Sequence, residues 1–311
     1  MRNIAFIFPG QGAQYPGMGK ELADNFSEAM MVFDKANETL NMDIKQLCFE
    51  GPQEQLNITE NTQPAILTTS LAIATILRKR NIRPKMTAGL SLGEYASLAI
   101  AGSLSTEDAI AIVKKRGKYM QEAVPIGVGK MAAIIGLEKD DIKEVCKLSS
   151  SYGIVEAANF NCPGQIVIAG EGKAVKQACE IAKKMGARRV TLLSVSAPFH
   201  TSLLKPAGEK LKEEFKNYTF HDANIPVVAN VDASVEKEVD EIKNNLIKQV
   251  SSSVLWEDCM NTMIQQGTDT FIEIGPGKAL TSFGKKINKD ITCLRVEDLK
   301  TLNKTLEELE V

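Results

Sequence analysis

The sequence predicts an α/β fold with a smaller α+β unit set inside it. Three observations predict this. Short apolar strands alternate with helical segments along most of the chain. Residues 130–195 break that rhythm and run β-α-β-β-α-β. Hydrophobic residues make up 44% of the 311 and charged residues 24%, enough apolar material for an ordinary globular core.

The elements follow in order. NIAFIF (3–8) is a short apolar strand that stops at the turn Pro9-Gly10-Gln11-Gly12. TQPAILTTSLAIATILRKRNIR (62–83) is an apolar helix, with Thr62 as its cap and Pro64 in its first turn. Met86 to Leu90 is a second strand, and a helix follows it to about Ile100. Ser105-Thr106-Glu107-Asp108 places a cap and two first-turn acids before a helix over 106–121. Pro125-Ile126-Gly127-Val128-Gly129 then marks a boundary.

Beyond it MAAIIGL, IVEAANF, QIVIAG and RRVTLLSV are strands, and DDIKEVCKLSS and KAVKQACEIAKKMGA are helices. Their order is ferredoxin-like. A large domain over 1–124 and 197–311, interrupted by a small one over 125–196, is the simplest arrangement, because such a unit brings its two ends close together. The large domain resumes with the strand PVVANVD (226–232), a helix over 239–250 and the strand TFIEIG (270–275).

Several functions are disfavoured by composition. The net charge is −2, which argues against a nucleic-acid binder working through a bulk positive field. No apolar run approaches the length of a membrane span, and the stretch Ile4 to Phe8 is too short for a signal-peptide core. Six scattered cysteines without a C-x-x-C pair suit reduced thiols in the cytoplasm. No metal-ligand spacing occurs. The loop FPGQGAQYPGMG fails the dinucleotide fingerprint, because Tyr15 stands where the third glycine belongs, and the chain has no Walker A sequence. No cofactor is called for.

The stretch GLSLGEYASLAIAG (89–102) carries the chemistry. Gly89, Ser91 and Gly93 form G-x-S-x-G between an apolar strand and a helix, the pattern of a nucleophilic serine on a sharp turn. A serine there also serves as an ordinary helix cap. A nucleophilic serine needs a base, and the chain has only two histidines. His200 follows a strand in the loop SAPFH, where α/β folds place catalytic groups, whereas His221 sits among turn-formers. No Asp or Glu stands in an obvious loop to orient that histidine; a backbone carbonyl can do the same work.

Arg116 is the other informative residue. It falls on the apolar face of its helix with Ala109, Ile112, Val113 and Met120. A guanidinium on such a face needs an anion: an internal carboxylate, or a substrate carboxylate held by two N–H groups. Leu92, after the serine, and Gln11, in the glycine loop, are placed to offer backbone N–H groups to an oxyanion; the loop also reads as a plain tight turn.

Taken together, FPGQGAQ, GLSLGEY, the Arg of KKRGKYM, NCPGQIVIAG, SAPFH, the Gln of KQVSSSVLW and EIGPGKAL stand in the order found in malonyl-CoA:acyl-carrier-protein transacylases. The chain resembles that family over nearly its whole length, and is similar also to the acyltransferase domains of megasynthases. The resemblance implies an α/β-hydrolase-like large domain with a ferredoxin-like small one. It implies Ser91 as nucleophile, His200 as general base and acid, Arg116 on the malonyl carboxylate, and Gln11 and Leu92 as oxyanion donors.

Gln249 falls on the family's glutamine, whose backbone carbonyl orients the histidine. Phe199 departs from the small residue of many stand-alone members and matches malonyl-selective megasynthase domains. The expected activity is ping-pong transfer of malonyl from malonyl-CoA to the phosphopantetheine thiol of holo acyl carrier protein, releasing CoA and feeding fatty-acid synthesis. The expected state is a cytoplasmic monomer with no nucleic-acid or membrane partner. Lys183, Lys184, Arg188, Arg189, Lys114, Lys115 and Lys118 are candidate contacts for an acidic carrier protein, or simply solvated faces. A serine hydrolase and a non-catalytic carrier-binding module are the competing functions.

Overall fold

The structure is a computed structural model that describes residues 2–310 except 126, 194 and 196. Two sheets organise it. The larger has six strands: β1 (Ile4–Phe8), β2 (Met86–Gly89), β7 (Val227–Val228), β8 (Val235–Glu236), β9 (Thr270–Ile274) and β10 (Thr292–Val296), in the order β10-β9-β1-β2-β7-β8. All neighbours are parallel except β7 and β8. Strands β1, β2 and β9 are buried almost end to end, as central parallel strands covered on both faces must be. Their carboxyl ends share one edge, so the turns after β1, β2, β7 and β9 converge there.

The helix Thr59–Lys79 is the most deeply buried helix, and it packs against the helix Thr106–Glu122. Its start corrects the expectation. Pro64 lies inside the helix rather than in its first turn, and Thr62 is no cap: its hydroxyl donates back to the carbonyls of Leu56 (2.6 Å) and Ile58 (3.1 Å). The strand expected over 226–232 is also corrected. Only Val227 and Val228 pair with β2, and Ala229 N–H leaves for Ser234 O. Strand β10 and the helices before Thr59 had no counterpart in the sequence reading. The cap at Ser105 is as expected, its hydroxyl accepting from Asp108 N–H at 2.9 Å.

The smaller sheet holds β3 (Gly129–Ile135), β4 (Val155–Cys162), β5 (Gln165–Glu171) and β6 (Arg189–Leu192), antiparallel, in the order β4-β5-β3-β6. The helices Lys139–Ser149 and Gly172–Lys184 cover one face through Ile142, Val145, Val175 and Ala178. The opposite face turns Met131, Ala133 and Val167 towards the large sheet. Its two connections run side by side: a Cβ on Gly129 would lie 2.2 Å from Pro198 Cδ. The expected boundary residue 196 lies outside the described residues. A bridge from Asn159 to Val254 ties the two sheets' surroundings together. No helix among the described residues is long and apolar enough to cross a membrane.

Candidate active site

Ser91 stands on the turn between β2 and the helix Gly93–Ile100, with φ 54°. That left-handed backbone is uncommon for a non-glycine residue. The two flanking glycines are required by space instead. A Cβ on Gly89 would lie 1.9 Å from the carbonyl carbon of Gly93, and one on Gly93 would lie 2.4 Å from Phe8 O. The G-x-S-x-G spacing is therefore a packing condition for so tight a turn.

His200 also has a positive φ, 61°, in the loop after β6. Glu156 of β4 pins that loop by accepting from Ser202 N–H (2.7 Å) and Ser202 Oγ (2.6 Å). The imidazole is buried, with Nε2 2.7 Å from Ser91 Oγ and Nδ1 2.9 Å from Gln249 O. A carbonyl can only accept, so Nδ1–H donates to it and Nε2 is left to accept from the serine hydroxyl. Burial, and next the Arg116 charge, lower the His200 pKa to about 4, so the ring is neutral at pH 7. His221 is exposed on the surface, its backbone N–H donating to Ser103 O.

Arg116 is 1% exposed, on the inward face of Thr106–Glu122. Gly117 beside it lets that helix approach Thr59–Lys79, since a Cβ there would lie 2.7 Å from Thr59 O. Its guanidinium donates to Gln63 Oε1 (2.8 Å), Ser91 Oγ (2.9 Å) and Gln249 Oε1 (2.9 Å). All three partners are neutral. Among the described residues no carboxylate forms an ion pair with Arg116. Glu94 lies near without pairing, and burial and then the charge of Glu236 push its carboxyl pKa well above the usual range. An internal ion pair, the structural alternative for this arginine, is thus not what the fold builds.

Ser91, His200, Arg116 and Gln63 line a cavity of about 560 Å³ between the two sheets, with Gln11, Leu92 and Phe199 also on its wall. The Gln11 side chain donates to Thr59 Oγ1 at 3.2 Å. Among the described residues no acceptor takes the backbone N–H of Gln11 or Leu92. The candidate basic residues divide. Lys114, Lys118 and Lys183 pair with Glu60, Glu122 and Glu180, while Lys115, Lys184, Arg188 and Arg189 are exposed.

The structure also contributes residues that sequence reasoning passed over. Gln63 holds Arg116, the Gln249 side chain links Arg116 to Ser91 O (3.0 Å) and to Glu94 (3.0 Å), and Asn230 contacts the turn at Ser91. Glu94 stood inside the G-x-S-x-G-E string and was a readable signal; Gln63 and Asn230 carried none.

The acyl transferase domain family matches residues 5–303. The malonyl CoA-acyl carrier protein transacylase of Bacillus subtilis is 48% identical over 311 residues, covering 100% of this chain and 98% of that protein. The chain belongs to the malonyl CoA-acyl carrier protein transacylases. A Staphylococcus aureus transacylase of the same name is 46% identical over 96% of this chain and 97% of its own. The crystal structure of the Clostridium perfringens transacylase superposes with TM-score 0.96 at 50% identity, covering 99% of this chain and 97% of that one. A malonyl-transacylase solved in complex with a type II PKS acyl-carrier protein superposes equally well, TM-score 0.96 at 40% identity over 98% and 99% of the two chains.

Proposed function

We propose that the chain moves malonyl from malonyl-CoA to acyl carrier protein in two steps through Ser91, in the service of fatty-acid synthesis. Ser91 Oγ attacks the thioester carbonyl while His200 Nε2 takes its proton. The backbone N–H groups of Gln11 and Leu92 receive the oxyanion; such donors are worth roughly 3–4 kcal/mol each in other enzymes. The tetrahedral adduct collapses, the C–S bond breaks, and His200 returns the proton to the departing CoA thiolate. The pantetheine thiol of holo acyl carrier protein then gives its proton to His200 and attacks the malonyl-serine ester; the ester C–O bond breaks and His200 returns that proton to Ser91 Oγ.

One observation carries the choice of acyl group. Arg116 is a buried cation without a carboxylate partner, 2.9 Å from the same Oγ that faces His200. A malonyl carboxylate supplies the missing anion and accepts two parallel N–H bonds from it. Acetyl supplies nothing.

The division into a domain of 1–124 with 197–311 and another of 125–196 belongs to this reading. The cavity then lies where the two meet, as ligand sites commonly do. A cytoplasmic location fits the six free thiols, and the reading takes the chain as a monomer. The exposed Lys184, Arg188 and Arg189 are the face offered to an acidic carrier protein.

Mixing the protein with malonyl-CoA, acetyl-CoA and holo carrier protein and recording intact masses tests this. The expected products are malonyl-enzyme and malonyl-carrier protein with little acetyl on either. Free malonate in place of malonyl-carrier protein would make the enzyme a hydrolase instead.

A further inference from the structure

We infer that Asn230 is a positioning residue for the nucleophile, its side chain standing in for a missing piece of β-strand. The parallel register of β2 and β7 runs Thr87 against Val227 and Ala88 against Val228, so Leu90 falls opposite position 230. In a parallel ladder the residue opposite Leu90 would donate its N–H to the carbonyl before Leu90 and accept from the N–H after it. The main chain cannot do this, because β7 turns away after Val228. Ala229 N–H bonds Ser234 O, and Asn230 N–H bonds Glu94 Oε2 at 2.8 Å. The Asn230 side chain makes both bonds in its place. Its Nδ2 donates to Gly89 O at 2.8 Å, and its Oδ1 accepts from Ser91 N–H at 2.6 Å.

This arrangement does two things for Ser91. It fixes both ends of a turn whose central residue is held at φ 54°, a conformation that persists only where its surroundings over-determine it. It also occupies the Ser91 N–H, so that among the turn's donors the Leu92 N–H is the one left to face the cavity. Asn230 is itself immobilised: it is wholly buried, with Glu94 on its N–H and Leu255 N–H on its carbonyl at 2.9 Å. The side chain makes no bond to Oγ and Asn230 is not on the cavity wall, so its effect on the reaction passes through the backbone of Ser91.

The inference rests on Ser91 being the acylated residue, and the experiment separates the two. Acylation by malonyl-CoA is timed by quenched-flow and intact mass in the wild type, Ser91→Ala, Asn230→Ala and Asn230→Asp, with thermal unfolding recorded for each. Asn230→Ala frees both bonds, and its acylation rate is expected to fall about a hundredfold or more, the size of effect that misplacing a reacting atom brings. KM for malonyl-CoA stays within about threefold, because Arg116 and the cavity wall are untouched.

Asn230→Asp keeps shape and the acceptor for Ser91 N–H but loses the donor to Gly89, and a smaller fall, about tenfold, is expected by the same reasoning. A folded Asn230→Ala that acylates at the wild-type rate overturns the inference. If Asn230→Ala does not fold, Asn230→Asp decides alone: an unchanged rate overturns the inference, and a reduced rate at unchanged KM supports it. An adduct that survives in Ser91→Ala would overturn the nucleophile assignment itself; its loss there, with full rate in the Asn230 variants, overturns only the role of Asn230.

Discussion

Strands β2 and β9 lie on either side of β1 in one sheet, and each ends in a sharp turn into a helix. The two turns solve the same problem differently. After β9 the left-handed positions are given to glycine, Gly275 at φ 137° and Gly277 at φ 86°. Glu273 steadies the following helix Ala279–Ile287 by accepting from Leu280 N–H (3.0 Å) and Thr281 N–H (2.7 Å). After β2 the left-handed position belongs to a serine, and the glycines flank it at ordinary φ. A turn that presents no side chain for bonding to His200 uses the residue that is free to turn. A turn that presents a hydroxyl must hold an unwilling residue, and it recruits buried amides from Asn230 and Gln249 to do so.

Substitutions can break or sharpen that contrast. Ser91→Ala removes the hydroxyl and nothing else, so the malonyl-enzyme seen by intact mass should vanish while the fold persists. Arg116→Ala comes next. In the proposed clamp it removes two charge-assisted hydrogen bonds to the malonyl carboxylate, roughly 1.5–3 kcal/mol each, so malonyl transfer should fall by at least about a hundredfold. Acetyl transfer should fall far less; an unchanged malonyl-to-acetyl ratio would refute the clamp.

The glycines then separate the two turns directly. Gly89→Ala drives a methyl into the Gly93 backbone and should cost about 3 kcal/mol or more. Gly277→Ala meets nothing closer than 3.7 Å and bears only the positive φ, roughly 1–2 kcal/mol. Thermal unfolding should rank them in that order, and equal shifts would mean that backbone angle rather than space rules both turns.

The smallest effect concerns pH. Protonating His200 abolishes it as a base, so acylation falls as pH drops through its folded-state pKa, which burial and Arg116 hold at about 4 instead of 6.5. The acid limb of kcat/KM should therefore lie well below pH 6. Arg116→Ala, assayed with an uncharged acyl thioester, should move that limb to higher pH by removing the neighbouring cation. A limb near 6.5 in the wild type would mean that water reaches the imidazole.

How much of this was legible in the sequence follows the range of the interactions involved. Ser91 was readable because the turn's own requirements, Gly89 and Gly93, lie two residues away. His200 was readable because only one rival existed, and Arg116 because helical periodicity set it among apolar neighbours. The role of the Gln249 carbonyl came from family resemblance alone, since a backbone atom leaves no mark on residue type. Asn230 was lost inside PVVANVD, which reads as a continuous strand by composition. The strand stops at Val228, and the amide that replaces it looks like any other polar residue. The start of the helix at Thr59 was missed for a similar reason: Thr62 has the chemistry of a cap, but its hydroxyl turns back to the preceding carbonyls.

The partners of Ser91 also set a timetable. Asn230 lies 139 positions further along the chain, and Gln249, whose side chain binds Ser91 O, lies 158. At about 5–20 residues per second of synthesis, the first of these reaches the serine roughly 7–30 s after it has been made. Until then, a growing chain holds the serine without the two buried amides that fix its turn. The turn at Ser91 is assembled late, from both halves of the polypeptide, and a truncated chain ending before Asn230 carries the G-x-S-x-G sequence without the side chains that shape it.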